Sequence, residues 1–96
     1  MMTESERDEF VALLVKAGWS LRDGTVWSPS NGLWFGGSHF SQWSPKEFAE
    51  VFSRRADRIE KAKVGEWECS IRENRQACDA AQTIERKRNA QPRGGG

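Results

Sequence analysis

The stretch GWSLRDGTVWSPSNGLWFGG, residues 18–37, decides how this chain folds. It carries three tryptophans in sixteen positions and two turn dipeptides, Asp23-Gly24 and Asn31-Gly32, in a chain without tyrosine. The dipeptides separate short runs rich in β-branched and aromatic residues, at 19–22, 25–28 and 33–36, which predicts a three-stranded antiparallel meander. A two-residue turn at Asp23-Gly24 sets Arg22 opposite Thr25, Leu21 opposite Val26, Ser20 opposite Trp27 and Trp19 opposite Ser28. The second connection has the same parity whether it closes at Asn31-Gly32 or as a four-residue loop over 29–32. Both place Phe35 with Val26 and Trp34 with Trp27, and Pro29 favours the longer loop. One face then reads Trp19, Leu21, Val26, Leu33 and Phe35, which suits a core. The other reads Ser20, Arg22, Thr25, Trp27 and Trp34. Trp27, Trp34 and Arg22 either offer a partner rigid contact area, or a base a stacking surface, or lie covered by helix two or the C-terminal segment.

Helical signals flank the meander. Thr3 and Glu6 have capping-box spacing, and Phe10, Val11, Leu14, Val15 and Ala17 form a stripe that stops at Gly18, predicting a helix over about residues 4–17. Ser44-Pro45-Lys46-Glu47 combines a Ser cap, Pro at the first helical position and Glu at the third, so a second helix starts there. Trp43 falls where a hydrophobic staple with Phe48 places it. Phe48, Val51, Phe52, Ala56 and Ile59 make the buried stripe of this helix, with Arg54, Arg55, Arg58 and Lys61 largely on the other side. Past Val64-Gly65 helical composition resumes, with Trp67, Ile71, Cys78, Ala81 and Ile84 in a narrow stripe.

An unbroken helix from 45 to 88 is ~65 Å long at ~1.5 Å per residue, so something must cover its second half. Two arrangements remain open: a turn near Gly65 that folds the helix back as a hairpin, or pairing with a second copy as a short coiled coil. The fold class is therefore α+β: a helix, a three-stranded meander, then a long C-terminal helix with a break at Gly65 as an option. Residues 1–63 read as a small α-βββ-α domain, 64–90 as a helical extension suited to oligomerisation through Trp67, Ile71, Cys78, Ala81 and Ile84, and 91–96 as a disordered tail.

Composition limits the function classes. Ninety-six residues make at most one domain, and 36% hydrophobic against 30% charged residues leave a thin core, with part of the chain outside it or paired with another chain. A net charge of +1 argues against a polyanion binder driven by bulk charge. Basic residues concentrate in the C-terminal half, twelve Lys/Arg against nine Asp/Glu after residue 45 and three against five before it. A nucleic-acid surface, as the alternative, uses Arg54, Arg55, Arg58 and Lys61, with Lys63 and the basic terminus Arg86, Lys87 and Arg88. Interleaved acids, and the i, i+4 pairs Glu50 to Arg54 and Asp57 to Lys61, describe an ordinary solvated face instead.

No apolar run approaches the ~18 residues needed to cross a bilayer, and the polar, acidic start is unlike a signal peptide, so the expected location is the cytoplasm, with no membrane partner. Cys69 and Cys78 lie ~13 Å apart along a helix, too far for an intrachain disulfide, and nine helical steps put them on opposite sides. Free thiols suit a reducing compartment. With one histidine, His39, no metal or cofactor site is expected. Ser38 or Ser41, His39 and Asp23 assemble a catalytic triad only on paper, since adjacent Ser and His side chains do not converge.

LLVKAGW (13–19) and GSH (37–39), together with the order helix, three strands, helix, resemble fragments of the HicA-type toxins, small ribonucleases on a double-stranded-RNA-binding-like fold. The resemblance covers about ten residues and implies His39 as general acid or base on a ribose 2′-hydroxyl. In that family the motif follows the first strand closely, whereas here it follows the third. The residues taken together point first to a non-enzymatic protein-interaction module that self-associates through its C-terminal helix, in the manner of phage or mobile-element accessory proteins.

Overall fold

The hydroxyl of Thr3 accepts the Glu6 amide at 3.1 Å while the Glu6 carboxylate accepts the Thr3 amide at 2.9 Å, the reciprocal cap its spacing predicts. The computed structural model describes residues 1–62 and 68–90, with side chains of the last helix from Ser70 onward. Helix α1 spans Glu4–Lys16. It stops because Gly18 adopts φ 108°, a conformation costly for any residue with a Cβ. There the Gly18 amide donates to the Val15 carbonyl and the Trp19 amide to the Leu14 carbonyl, both at 3.0 Å, which closes the helix and reverses the chain.

Strands β1 (Ser20–Arg22), β2 (Thr25–Trp27) and β3 (Trp34–Phe35) form an antiparallel sheet in the order β1-β2-β3. The register is the one the turns dictate: Ser20 with Trp27, Leu21 with Val26, Arg22 with Thr25, then Val26 with Phe35 and Trp27 with Trp34. Asp23 and Gly24 both take positive φ, 50° and 76°, the requirement of a two-residue type I′ turn. The second connection is the four-residue loop 29–32. It is closed by the Ser28 amide donating to the Leu33 carbonyl at 2.8 Å and the Leu33 amide donating to Ser28 Oγ at 3.1 Å.

A short helix, α2 (Gly37–Gln42), follows β3 where the sequence suggests only a loop, since two glycines and no apolar period conceal it. Helix α3 (Pro45–Ala62) begins at Ser44 with the expected box: Glu47 amide to Ser44 Oγ at 3.2 Å, Ser44 amide to the Glu47 carboxylate at 3.1 Å. Trp43 and Phe48 staple this entry with rings 5.1 Å apart. Helix α4 (Glu68–Ala90) packs along α3. Of the two arrangements open in the sequence, the chain takes the hairpin. Arg75 meets Glu60 at one end of the pair, and Gln82 and Glu85 face Lys46 and Ala49 at the other. The expected bend at Gly65 lies outside the described residues.

Phe35 is the hub of the core, its ring 5.0–6.0 Å from those of Phe52, Trp19, Phe48 and Phe10. Ala77, Ala81 and Ile84 of α4 belong to the same core cluster, so the hydrophobic interior is continuous across residue 63. Alanines at this contact let α4 approach closely, and burying its side chains drives the association. Three expected core residues are not covered: Leu21 is 56% exposed, Val15 45%, and Ala17 is exposed. Leu21 shares the parity of Val26 and Phe35 but lies on the edge strand, where it borders an open groove beside α1 instead of the core. No helix among the described residues is long and apolar enough to cross a membrane.

Candidate functional site

The strand alternation that buries Val26 and Phe35 turns Trp27 and Trp34 to the opposite face of the sheet. Trp27 is half-buried and Trp34 is 51% exposed. As directly opposed residues on adjacent strands they bring their rings to 5.9 Å. The Arg22 guanidinium sits 5.0 Å from the Trp27 ring centre, held there by a 2.9 Å hydrogen bond to the Asn31 side-chain oxygen. That bond orients the cation over the π face, where the interaction is favourable.

His39 extends the row. Its ring stands edge-on to Trp34 at 5.5 Å and to Trp43 at 5.9 Å. The Gly36 amide donates to His39 Nδ1 at 3.0 Å, which both caps α2 and leaves Nε2 as the N–H donor of the neutral ring. Arg22, Trp27, Trp34, His39 and Trp43 thus form a continuous strip whose side-chain polar atoms, apart from His39 Nδ1, are all donors. The sequence indicates the first three through parity. His39 and Trp43 join through α2, which no local pattern announces.

The loop that holds Arg22 is anchored by α4. Glu73, 3% exposed, accepts the Ser30 amide at 2.9 Å and the Ser30 hydroxyl at 2.7 Å. Gln76 accepts the Trp19 indole N–H at 2.8 Å. These polar residues on a nominally apolar stripe fix how the helix sits on the sheet, and only their buried partners reveal that role.

Cys78, Ala81 and Ile84 are buried against the chain's own helices, and Ile71 is half-buried at the edge of the hairpin. Trp67 lies outside the described residues, as do Lys63, the Cys69 side chain and the tail 91–96. Burial pushes the Cys78 thiol above its ordinary range, with Asp79 and Asp57 adding to the effect. On α3, Arg54 pairs with Glu50 at 3.7 Å, while Arg55, Arg58 and Lys61 are exposed. The basic terminus is engaged: Lys87 pairs with Glu9 and Arg88 with Glu6. Ser41 donates to the Ser38 carbonyl at 3.1 Å, and His39 is held by Gly36 and the neighbouring rings. Among the described residues, no three His, Cys, Asp or Glu side chains gather where they can hold a metal ion.

No family model, no curated protein and no solved structure matches this chain.

Proposed function

We propose that the protein is a non-enzymatic interaction module that presents Arg22, Trp27, Trp34, His39 and Trp43 to a protein partner. The observation that carries this reading is Trp34: a large ring, 51% exposed, flanked by further aromatic rings. Leaving so much indole in water costs a thin-cored domain stability that it recovers when a partner covers the strip. Rigid aromatic and arginine side chains are the residues that dominate binding energy at protein interfaces. A cytoplasmic accessory role, such as those of phage or mobile-element proteins that adapt a host machine, accords with a chain whose Cys78 is a buried free thiol.

Nucleic-acid binding by Arg54, Arg55, Arg58 and Lys61 is the weaker reading, because acids pair with Arg54, Arg75, Lys87 and Arg88 and break up the positive surface. A photo-reactive amino acid at Ser20, beside Trp27, tests the proposal against the same probe at Ser53 on α3. The expected result in a cell lysate is a discrete protein adduct from position 20 that untagged wild-type protein competes away and that Trp34→Ala abolishes. Equal labelling from both positions overturns the proposal. Cross-linking of position 53 to RNA, lost as salt rises, favours the alternative.

A further inference from the structure

An open groove of about 670 Å³ runs between α1, the β1–β2 turn and the start of α2, away from the aromatic strip. Val11, Val15 and Leu21 give it apolar walls, and Phe40 lies at its base. Asp8, Ala12 and Lys16 follow one another at i, i+4 and i+8 on the rim contributed by α1, and all three are exposed. Beside them every residue of β1 is exposed.

We infer that this face is where a second copy of the chain docks, α1 against α1 and β1 against β1 about one two-fold axis. Three features are self-complementary about such an axis. Asp8 and Lys16 lie four residues either side of Ala12, so two α1 helices crossing antiparallel at Ala12 place Asp8 of each opposite the partner's Lys16. Ala12 is small enough to let the helices approach at that point, with Val11 and Val15 together on its groove side. In the β1–β2 hairpin, Arg22 and Ser20 exchange hydrogen bonds with β2, so the N–H and C=O of Leu21 point to the open edge. One residue with both groups free is satisfied in full by the same residue of a second copy.

Counted from the corner at Gly18, Ala12 lies about 9 Å along the helix and Leu21 about 10 Å along the strand, so a single two-fold axis can serve both contacts. The paired strands extend the sheet to six, and the two Leu21 side chains close over the valines.

The test is sedimentation velocity on the full chain from about 1 to 200 μM, a range that captures moderate affinities. A concentration-dependent dimer is expected. Ala12→Glu is expected to weaken it about tenfold or more, and Asp8→Lys likewise, because that variant sets Lys against Lys16. Combining Asp8→Lys with Lys16→Asp is expected to restore the dimer by reversing both pairs. Circular dichroism confirms that each variant is folded, and the rescue cannot arise from damage to the fold. A monomer throughout the range overturns the inference. So does a dimer that these variants leave unchanged, or one that the charge reversal fails to restore. The variants lie on α1 and leave the aromatic strip intact, and a Ser20 adduct at twice the chain mass that Asp8→Lys removes reports the second copy, whereas an adduct of another mass that Trp34→Ala removes reports the partner of the strip.

Discussion

Arg88 and Glu6, at opposite ends of the chain, form a two-pronged ion pair: Nε donates at 2.7 Å and Nη2 at 2.5 Å to the two carboxylate oxygens. The pair ties the last turns of α4 to the first turn of α1, and Arg88 also donates to the Met1 carbonyl at 3.0 Å. Planar guanidinium and carboxylate match in geometry, and the contact sits where the positive end of one helix dipole meets the negative end of the other.

The Arg88 hydrogen bond, aided by Thr3, holds the Glu6 carboxyl at about 2, against an ordinary value of 4.5. Because the folded value is depressed, the contribution to stability is complete above about 4.5 and is lost as pH falls towards 2. Arg88→Met is expected to lower stability at neutral pH by about 1 kcal/mol, allowing for solvent screening of a partly exposed pair. It also flattens the acid limb of the curve. Urea midpoints at pH 7, 4 and 2.5 for both proteins check this, and parallel curves count against the pairing.

Removing α4 by ending the chain after Ala62 is expected to abolish the cooperative thermal transition, because Ala77, Ala81 and Ile84 then leave the core around Phe10, Phe48 and Phe52 exposed. A milder version is Ile84→Ala, expected to cost about 3 kcal/mol at a site 1% exposed. Thermal melts by circular dichroism decide both. A sharp transition in the truncated chain shows the first half to be self-sufficient.

Glu73→Ala is expected to destabilise the fold by about 2 kcal/mol, since it removes both acceptors used by Ser30 in a nearly closed site. The effect should be local as well. Amide exchange at Ser30 and Asn31 is expected to accelerate far more than exchange in α3, and uniform acceleration contradicts an anchoring role.

Ser44→Ala removes the hydroxyl that accepts the Glu47 amide and is expected to cost about 1 kcal/mol. Gly24→Ala is expected to cost a similar amount, about 1 kcal/mol, for a different reason: nothing crowds its Cβ, but φ is 76°. An unchanged midpoint for either variant contradicts the cap or the turn respectively.

The sequence by itself determined the features whose causes are local. Asp23-Gly24 requires a type I′ turn, and with strand period two that turn fixes which side each tryptophan takes. Thr3 with Glu6, Ser44 with Glu47 and Gly18 mark helix ends because each satisfies backbone groups within a few residues. Tertiary structure alone decided whether those faces are covered. Parity puts Leu21 with Val26, but coverage depends on how far α1 and the α3–α4 hairpin extend over the sheet. The two alternatives for the C-terminal helix bury the same stripe, either against α3 or against a second copy, so its period does not separate them. Likewise His39 enters the aromatic strip only because the Gly36 amide finds its ring nitrogen as α2 closes. Local hydrogen bonds write themselves into short motifs, whereas burial is a property of whole surfaces meeting across the chain.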